Sequence, residues 1–283
     1  MFDRIRDKSP FRHDKKDSSD LTYNNDPWPA PAPAYAASSS YAPAPPPFQT
    51  RFASLSLHME DRLRFLRFPP QIVDQCRNTV LRAWPLGIQE ERPYENSHEI
   101  KMEGYPWRGL GKESHNARRL VYALLATLHS YGWVLTLNTD ISKTSWDKDT
   151  LVFRHQTPAP APCDWCSIAF SKMDRLRFID APVQLYQSLP SRLGPQWIKS
   201  QEELAPGVWE MKLHGYPWAA TGTETMRVRE LLLVLVETLE EEGWSVYASI
   251  DQKASGGEQR SEADTWYLCR PKGWVRGAPV YHH

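Results

Sequence analysis

"ASLSLHMEDRLRFLRFP", residues 53–69, returns at residues 166–182 as "CSIAFSKMDRLRFIDAP". In both copies apolar and polar residues alternate on either side of a polar turn, the pattern of two half-buried strands joined as a hairpin. The likeness continues beyond the hairpin. Trp84 is matched by Trp197, and "HEIKMEGYPW" ending at Trp107 is matched by "WEMKLHGYPW" ending at Trp218. "RRLVYALLATLHSYGWVLTLNTDIS" from Arg118 is matched by "RELLLVLVETLEEEGWSVYASIDQK" from Arg229, and "DTLVFR" from Asp149 by "DTWYLCR" from Asp264. Two copies of this length are a duplicated domain rather than short solenoid units.

Setting one copy against the other defines the elements. Ile72, Cys76, Val80 and Trp84 recur at helical spacing, as do Leu185, Leu189, Leu193 and Trp197. Pro190 falls inside the second of these helices and should shorten or distort it. Leu120, Val121, Leu124, Leu125 and Leu128 make the stripe of a further helix, matched by Leu231, Leu232, Leu235, Val236 and Leu239. Gly132 and Gly243 stand where a left-handed residue ends that helix. Each copy reads β-β-α-β-α-β-β, and the fold class is α+β: two tandem two-layer sandwiches, each a mainly antiparallel sheet with two helices on one face. The copies are expected as a pseudo-twofold or side-by-side pair.

The domain layout follows from composition. Residues 1–50 form a Pro/Ala-rich tail expected to be disordered, since they cannot build a core. Residues 51–157 are the first repeat, 158–162 a Pro-rich linker, 163–272 the second repeat and 273–283 a short C-terminal tail. Thirty-four basic and thirty-four acidic residues balance, which excludes a global field for nucleic acid or anionic membrane. Four scattered cysteines, the lack of an apolar leader and the lack of a run long enough to span a bilayer fit a protein of the cytoplasm or nucleus, with no membrane partner.

Several chemistries can be weighed on single motifs. "GYPWRGLGKES" at residues 104–114 lies between a strand and a helix, as a phosphate loop would, but Pro106 stands where a Walker loop needs its first glycine and Glu113 where it needs Ser or Thr. What both copies keep is Gly-Tyr-Pro-Trp, which fits a backbone turn with an indole anchor; Ser114 or Thr223 is expected to cap the following helix. Cys163 and Cys166 have metal-ligand spacing without a second pair, so no metal and no cofactor is expected. The nine histidines do not recur between copies, and no nucleophile, base and orienting acid come together, so no catalytic residue is named and an enzyme is the less favoured reading. Asp140 with Asp251 and Asp149 with Asp264 do recur, as turn-closing residues.

Arg62 and Arg64, matched by Arg175 and Arg177, alternate with apolar residues and should line the uncovered face of each sheet beside Glu99 and Glu210. With Trp107 and Trp218 they are the candidate binding residues. Mixed charge on a sheet face suits cross-strand ion pairs, whereas an RNA-reading sheet needs exposed aromatics, for which Tyr247 and Tyr267 are the candidates. The expected function is a non-catalytic adaptor with a protein partner. A small-molecule protein or enzyme with an asymmetric site at the junction of the copies comes second, and nucleic-acid binding through the arginine face third.

Overall fold

The computed structural model describes residues 49–108, 113–140, 147–251 and 264–280. Nearly all of the proline-rich tail lies outside these residues, as do Gly109 to Lys112 of the first loop. In the first repeat β1 (Phe52–His58) and β2 (Arg62–Leu66) form the hairpin, followed by α1 (Pro70–Ala83), β3 (Ile88–Tyr94), β4 (Ser97–Met102), a 3-10 turn at Pro106–Arg108, α2 (Glu113–Ser130), β5 (Trp133–Thr139) and β6 (Asp147–His155). The second repeat runs β7 (Cys163–Ser171), β8 (Arg175–Ile179), α3 (Val183–Leu193), β9 (Ile198–Ala205), β10 (Val208–Leu213), a 3-10 turn at Pro217–Ala219, α4 (Glu224–Glu241), β11 (Ser245–Ile250) and β12 (Thr265–Pro271).

Each repeat builds a six-stranded antiparallel sheet, in the orders β3-β4-β2-β1-β6-β5 and β11-β12-β7-β8-β10-β9. The chain is therefore a tandem α+β duplication. Each sheet has one strand more than the periodicity gives. The additional strands are β3 and β9, "IQEERPY" and "IKSQEELA", which are mostly exposed and polar and so lack the apolar alternation that marks a half-buried strand. They are edge strands, paired on one side only, and charge on an edge strand discourages pairing with another chain.

Burial follows the apolar periods. Leu55, Leu57, Leu63 and Phe65 from the first sheet meet Ile72, Cys76 and Val80 of α1 and Leu120, Leu124 and Leu128 of α2. The second core repeats the scheme with Ile168, Phe170, Leu176 and Phe178 against Leu185, Leu189 and Leu193 of α3 and Leu231, Leu235 and Leu239 of α4. α3, which carries Pro190 within its last turn, has 11 residues against 14 in α1. Gly132 and Gly243 follow their helices at φ +81° and +82°, a region open to glycine without a Cβ penalty. The expected cap at Thr223 is not made. Thr223 precedes α4 without a side-chain cap bond, and Ser114 lies inside the first turn of α2, buried.

The repeats pack head to tail rather than about a pseudo-twofold. α2 covers its own sheet and also runs along β7, with β8 and β12 beside it, on the face of the second sheet that α3 and α4 leave open. The order of layers is sheet, helices, sheet, helices. The strands record this directly: β1 alternates buried and half-buried residues, while its counterpart β7 is buried without interruption from Cys166 to Ser171. Small side chains at Ser167, Ala169 and Ser171 let the helix axis come close to that sheet. Among the described residues, no helix is long and apolar enough to cross a membrane.

Candidate functional site

The candidate arginines stand where their alternation puts them, but they are committed to ion pairs. Glu99 of β4 is almost fully buried. It accepts from Arg62 Nη1 at 2.6 Å and Arg64 Nε at 2.7 Å, both from the neighbouring β2, and from Arg92 Nε of β3 at 2.9 Å. Burial works to raise its carboxyl pKa; the guanidinium bonds from Arg64 and Arg62 outweigh that and hold it below the usual carboxylate range. Glu210 holds Arg175 and Arg177 in the same way in the second repeat, Arg177 Nε at 2.7 Å. The Tyr94 ring lies over the Arg64 guanidinium, 3.9 Å from its centroid, as a cation–π contact.

Trp107 and Trp218 join these clusters from the opposite side of the sheet. The Trp107 indole is fully buried and donates from Nε1 to the carbonyl oxygen of Arg62 at 3.1 Å; Trp218, less buried, donates to that of Arg175 at the same distance. The six sequence candidates thus form two matched clusters, one per sheet, with each indole pinning the strand that carries the arginines.

What differs is the cover over each cluster. Across the second sheet, α2 supplies Arg119, whose Nε and Nη2 donate to Asp180 Oδ2 and Oδ1 at 2.8 and 2.9 Å, and Tyr122, whose hydroxyl donates to Oδ2 at 2.6 Å. Burial tends to raise the Asp180 pKa, but the Arg119 and Tyr122 bonds prevail and lower it. Arg118 Nε donates to Thr265 Oγ1 at 3.1 Å. His115 sits near Arg177, Arg118 and Arg119, and burial followed by those charges lowers its pKa to about 4. His129 packs edge-on against Trp165 and Tyr247. Along the strand edges, the Leu135 N–H donates to the Tyr247 hydroxyl, and Asp149 Oδ2 accepts from the Asp251 N–H at 2.9 Å and from Asn138 Nδ2 at 3.1 Å. Asp149, read as a turn residue, thus ties β6 to the end of β11 across the junction.

Sequence reasoning named none of Arg119, Tyr122 and Asp180. A signal was present: the position of Arg119 holds Glu230 in the other copy, and that of Asp180 holds Arg67, so two matched positions reverse charge together. Tyr267 is fully buried and Tyr247 is turned into the junction, so neither offers a ring face to a base. Cys163 and Cys166 lie on opposite faces of β7, as residues three apart on a strand must, so they cannot act as a pair. Among the described residues, no cluster of His, Cys, Asp and Glu is placed to hold a metal.

Among the described residues, nothing covers the face of the first sheet. Ser54, Ser56 and Val152 are half-buried, Phe52 is 44% exposed and Leu66 38% exposed, and a hollow of about 550 Å³ lies among Phe52, Ser54, Leu66, Arg67, Asn96 and Val152. A second hollow, about 460 Å³, opens beside the second Gly-Tyr-Pro-Trp loop between Trp197, His214, Tyr216 and Arg227. A protein-family model for a single domain matches the chain twice, over residues 51–154 and 164–269. The chain belongs to that family. Each match takes in one sheet with its two helices, so the family domain is the two-layer unit described above. No curated protein and no solved structure matches the chain.

Proposed function

We propose that the chain is a non-catalytic interaction protein, and that the open face of its first sheet receives a helix from a protein partner. One observation carries this reading: the same face of the second domain is covered by a helix, α2, within the chain itself. The duplicated domain therefore accepts a helix on this face, and the first copy presents the face without one among the described residues. The Arg62–Glu99–Arg64 cluster fixes the polar half of the surface before any partner arrives, which reduces the ordering cost of binding. Phe52, Leu66 and Val152 supply the apolar half.

The test is site-specific photo-crosslinking from position 56, at the centre of the face, in the cells that make the protein. Protein adducts from position 56, lost on Leu66→Glu and not formed by a crosslinker on the outer surface of α3, support the reading. No protein adduct, together with a small mass retained in native mass spectrometry, would move the function to small-molecule binding.

A further inference from the structure

We infer that the partner of the open sheet is the α4 face of a second copy of this chain, so that the sheet–helix–sheet–helix order continues from one molecule to the next. This rests on the reading of the open sheet as a helix-accepting surface, and deepens it by naming the helix.

The internal junction is the template. Four α2 side chains that grip the second sheet have these counterparts on α4: Arg118 becomes Arg229, Arg119 becomes Glu230, Tyr122 becomes Leu233 and His129 becomes Glu240. All four counterparts are exposed, Leu233 at 59%, and Met226 on the same face at 65%. The sheet side changes in step. Asp180, which takes Arg119, becomes Arg67, so the inner Arg–Asp pair is answered by Glu230 against Arg67 with the charges exchanged. Thr265, which accepts from Arg118, has Thr150 as its counterpart, so Arg229 meets the same hydroxyl. Cys269, cross-strand neighbour of Trp165 in the His129 region, becomes Arg154, which suits Glu240. Two substitutions on one surface are thus matched by two on the other and a third pair is kept unchanged, although the two surfaces do not touch within the chain. Complementary charge at matched positions also fixes register and rejects wrong partners.

Shape agrees with charge. The hollow bounded by Phe52, Leu66, Arg67 and Asn96 occupies the place where Tyr122 and Arg119 reach Asp180 and the Pro206 carbonyl in the internal junction, and Leu233 is the residue that would fill it. At the far end, a second hollow lies between Glu237, Glu240 and Trp274, where the template calls for the counterpart of Trp165, namely Phe52. Tyr94, which replaces Ala205, has to swing off Arg64 for Met226 to reach the sheet. Because the two surfaces differ, the contact is heterologous and does not close on itself by symmetry, so growth proceeds beyond a dimer.

Sedimentation velocity of the full chain over a wide concentration range tests this. The expected result is a mass that rises with concentration past the dimer. Leu233→Glu and Leu66→Glu, both at exposed positions, should each raise the concentration needed for association by about tenfold or more. Mixed together, the two variants keep one intact surface each and should form a 1:1 dimer that grows no further. Glu230→Arg should weaken association, and adding Arg67→Glu in the same chain should restore it. A chain that stays monomeric throughout, or variants that associate like the parent, would overturn self-association. Crosslinks from position 56 to residues 1–48 of the same chain, or to a different protein, would also overturn it; the different protein would leave the helix-accepting sheet standing. Absence of any protein adduct from that position would remove both readings.

Discussion

Trp107 shows how one side chain serves both faces of a sheet. Its indole fills the space between α2 and the first sheet while its Nε1–H satisfies the Arg62 carbonyl, and the strand so held presents Arg62 and Arg64 to Glu99. Trp107→Ala removes a fully buried aromatic and leaves that carbonyl without its partner. The expected cost is about 3–5 kcal/mol of unfolding free energy by urea titration. Trp218→Ala should cost measurably less, because Trp218 is only partly buried. Equal losses would mean that the two loops are held by something other than indole burial. The anchoring place of these tryptophans was legible in the sequence because an indole retained beside Gly-Tyr-Pro in both copies needs a structural reason. The junction residues were not, because Arg119 and Asp180 are ordinary surface types whose meaning depends on a contact between copies.

Among elements, α2 carries two burdens and its sequence shows it only by comparison. Its stripe at Leu120, Leu124 and Leu128 faces its own sheet, and its opposite side, from Ser114 and His115 through Arg118 to His129, is also buried. α4 has the same stripe and an exposed opposite side. Hydrophobic periodicity finds the first face and cannot find the second, since the second is built from Arg, Tyr and His. For the same reason β3 and β9 escaped notice: an edge strand's exposed charges carry no alternation. The Arg119–Asp180 pair, with Tyr122 on the same carboxylate, should be the strongest polar tie of α2 to the second sheet. A double-mutant cycle on Arg119→Ala and Asp180→Ala should return a coupling of about 0.5–3 kcal/mol, toward the lower end because both side chains keep some contact with water. Additive losses would show that the helix is held by packing alone.

At the scale of the molecule, the junction makes stability depend on acid in two separable windows. The His115 imidazole has a lowered pKa in the folded chain, about 4 against an ordinary 6.5, because burial and the nearby Arg177, Arg118 and Arg119 disfavour its charged form more than Glu210 favours it. Between those two values the unfolded chain binds a proton that the folded chain refuses, so stability is fully present above about pH 6.5 and falls as the pH drops toward 4. Asp180 has the opposite chemistry with the same sign of effect. Its lowered carboxyl pKa gives stability that is complete above the ordinary aspartate value and is lost as the pH falls through the folded one. The measurement is the melting temperature against pH for the parent, His115→Gln and Asp180→Asn. His115→Gln should flatten the upper window and leave the lower one in place, while Asp180→Asn should lower stability near neutral pH and flatten the lower window. Because both groups lie where α2 meets the second sheet, the loss below pH 6.5 should also appear as faster hydrogen exchange in β7 and α2 than in the α3–α4 core. A uniform rise across the chain would instead mean that the two repeats unfold as one cooperative block, with the junction no weaker than either core.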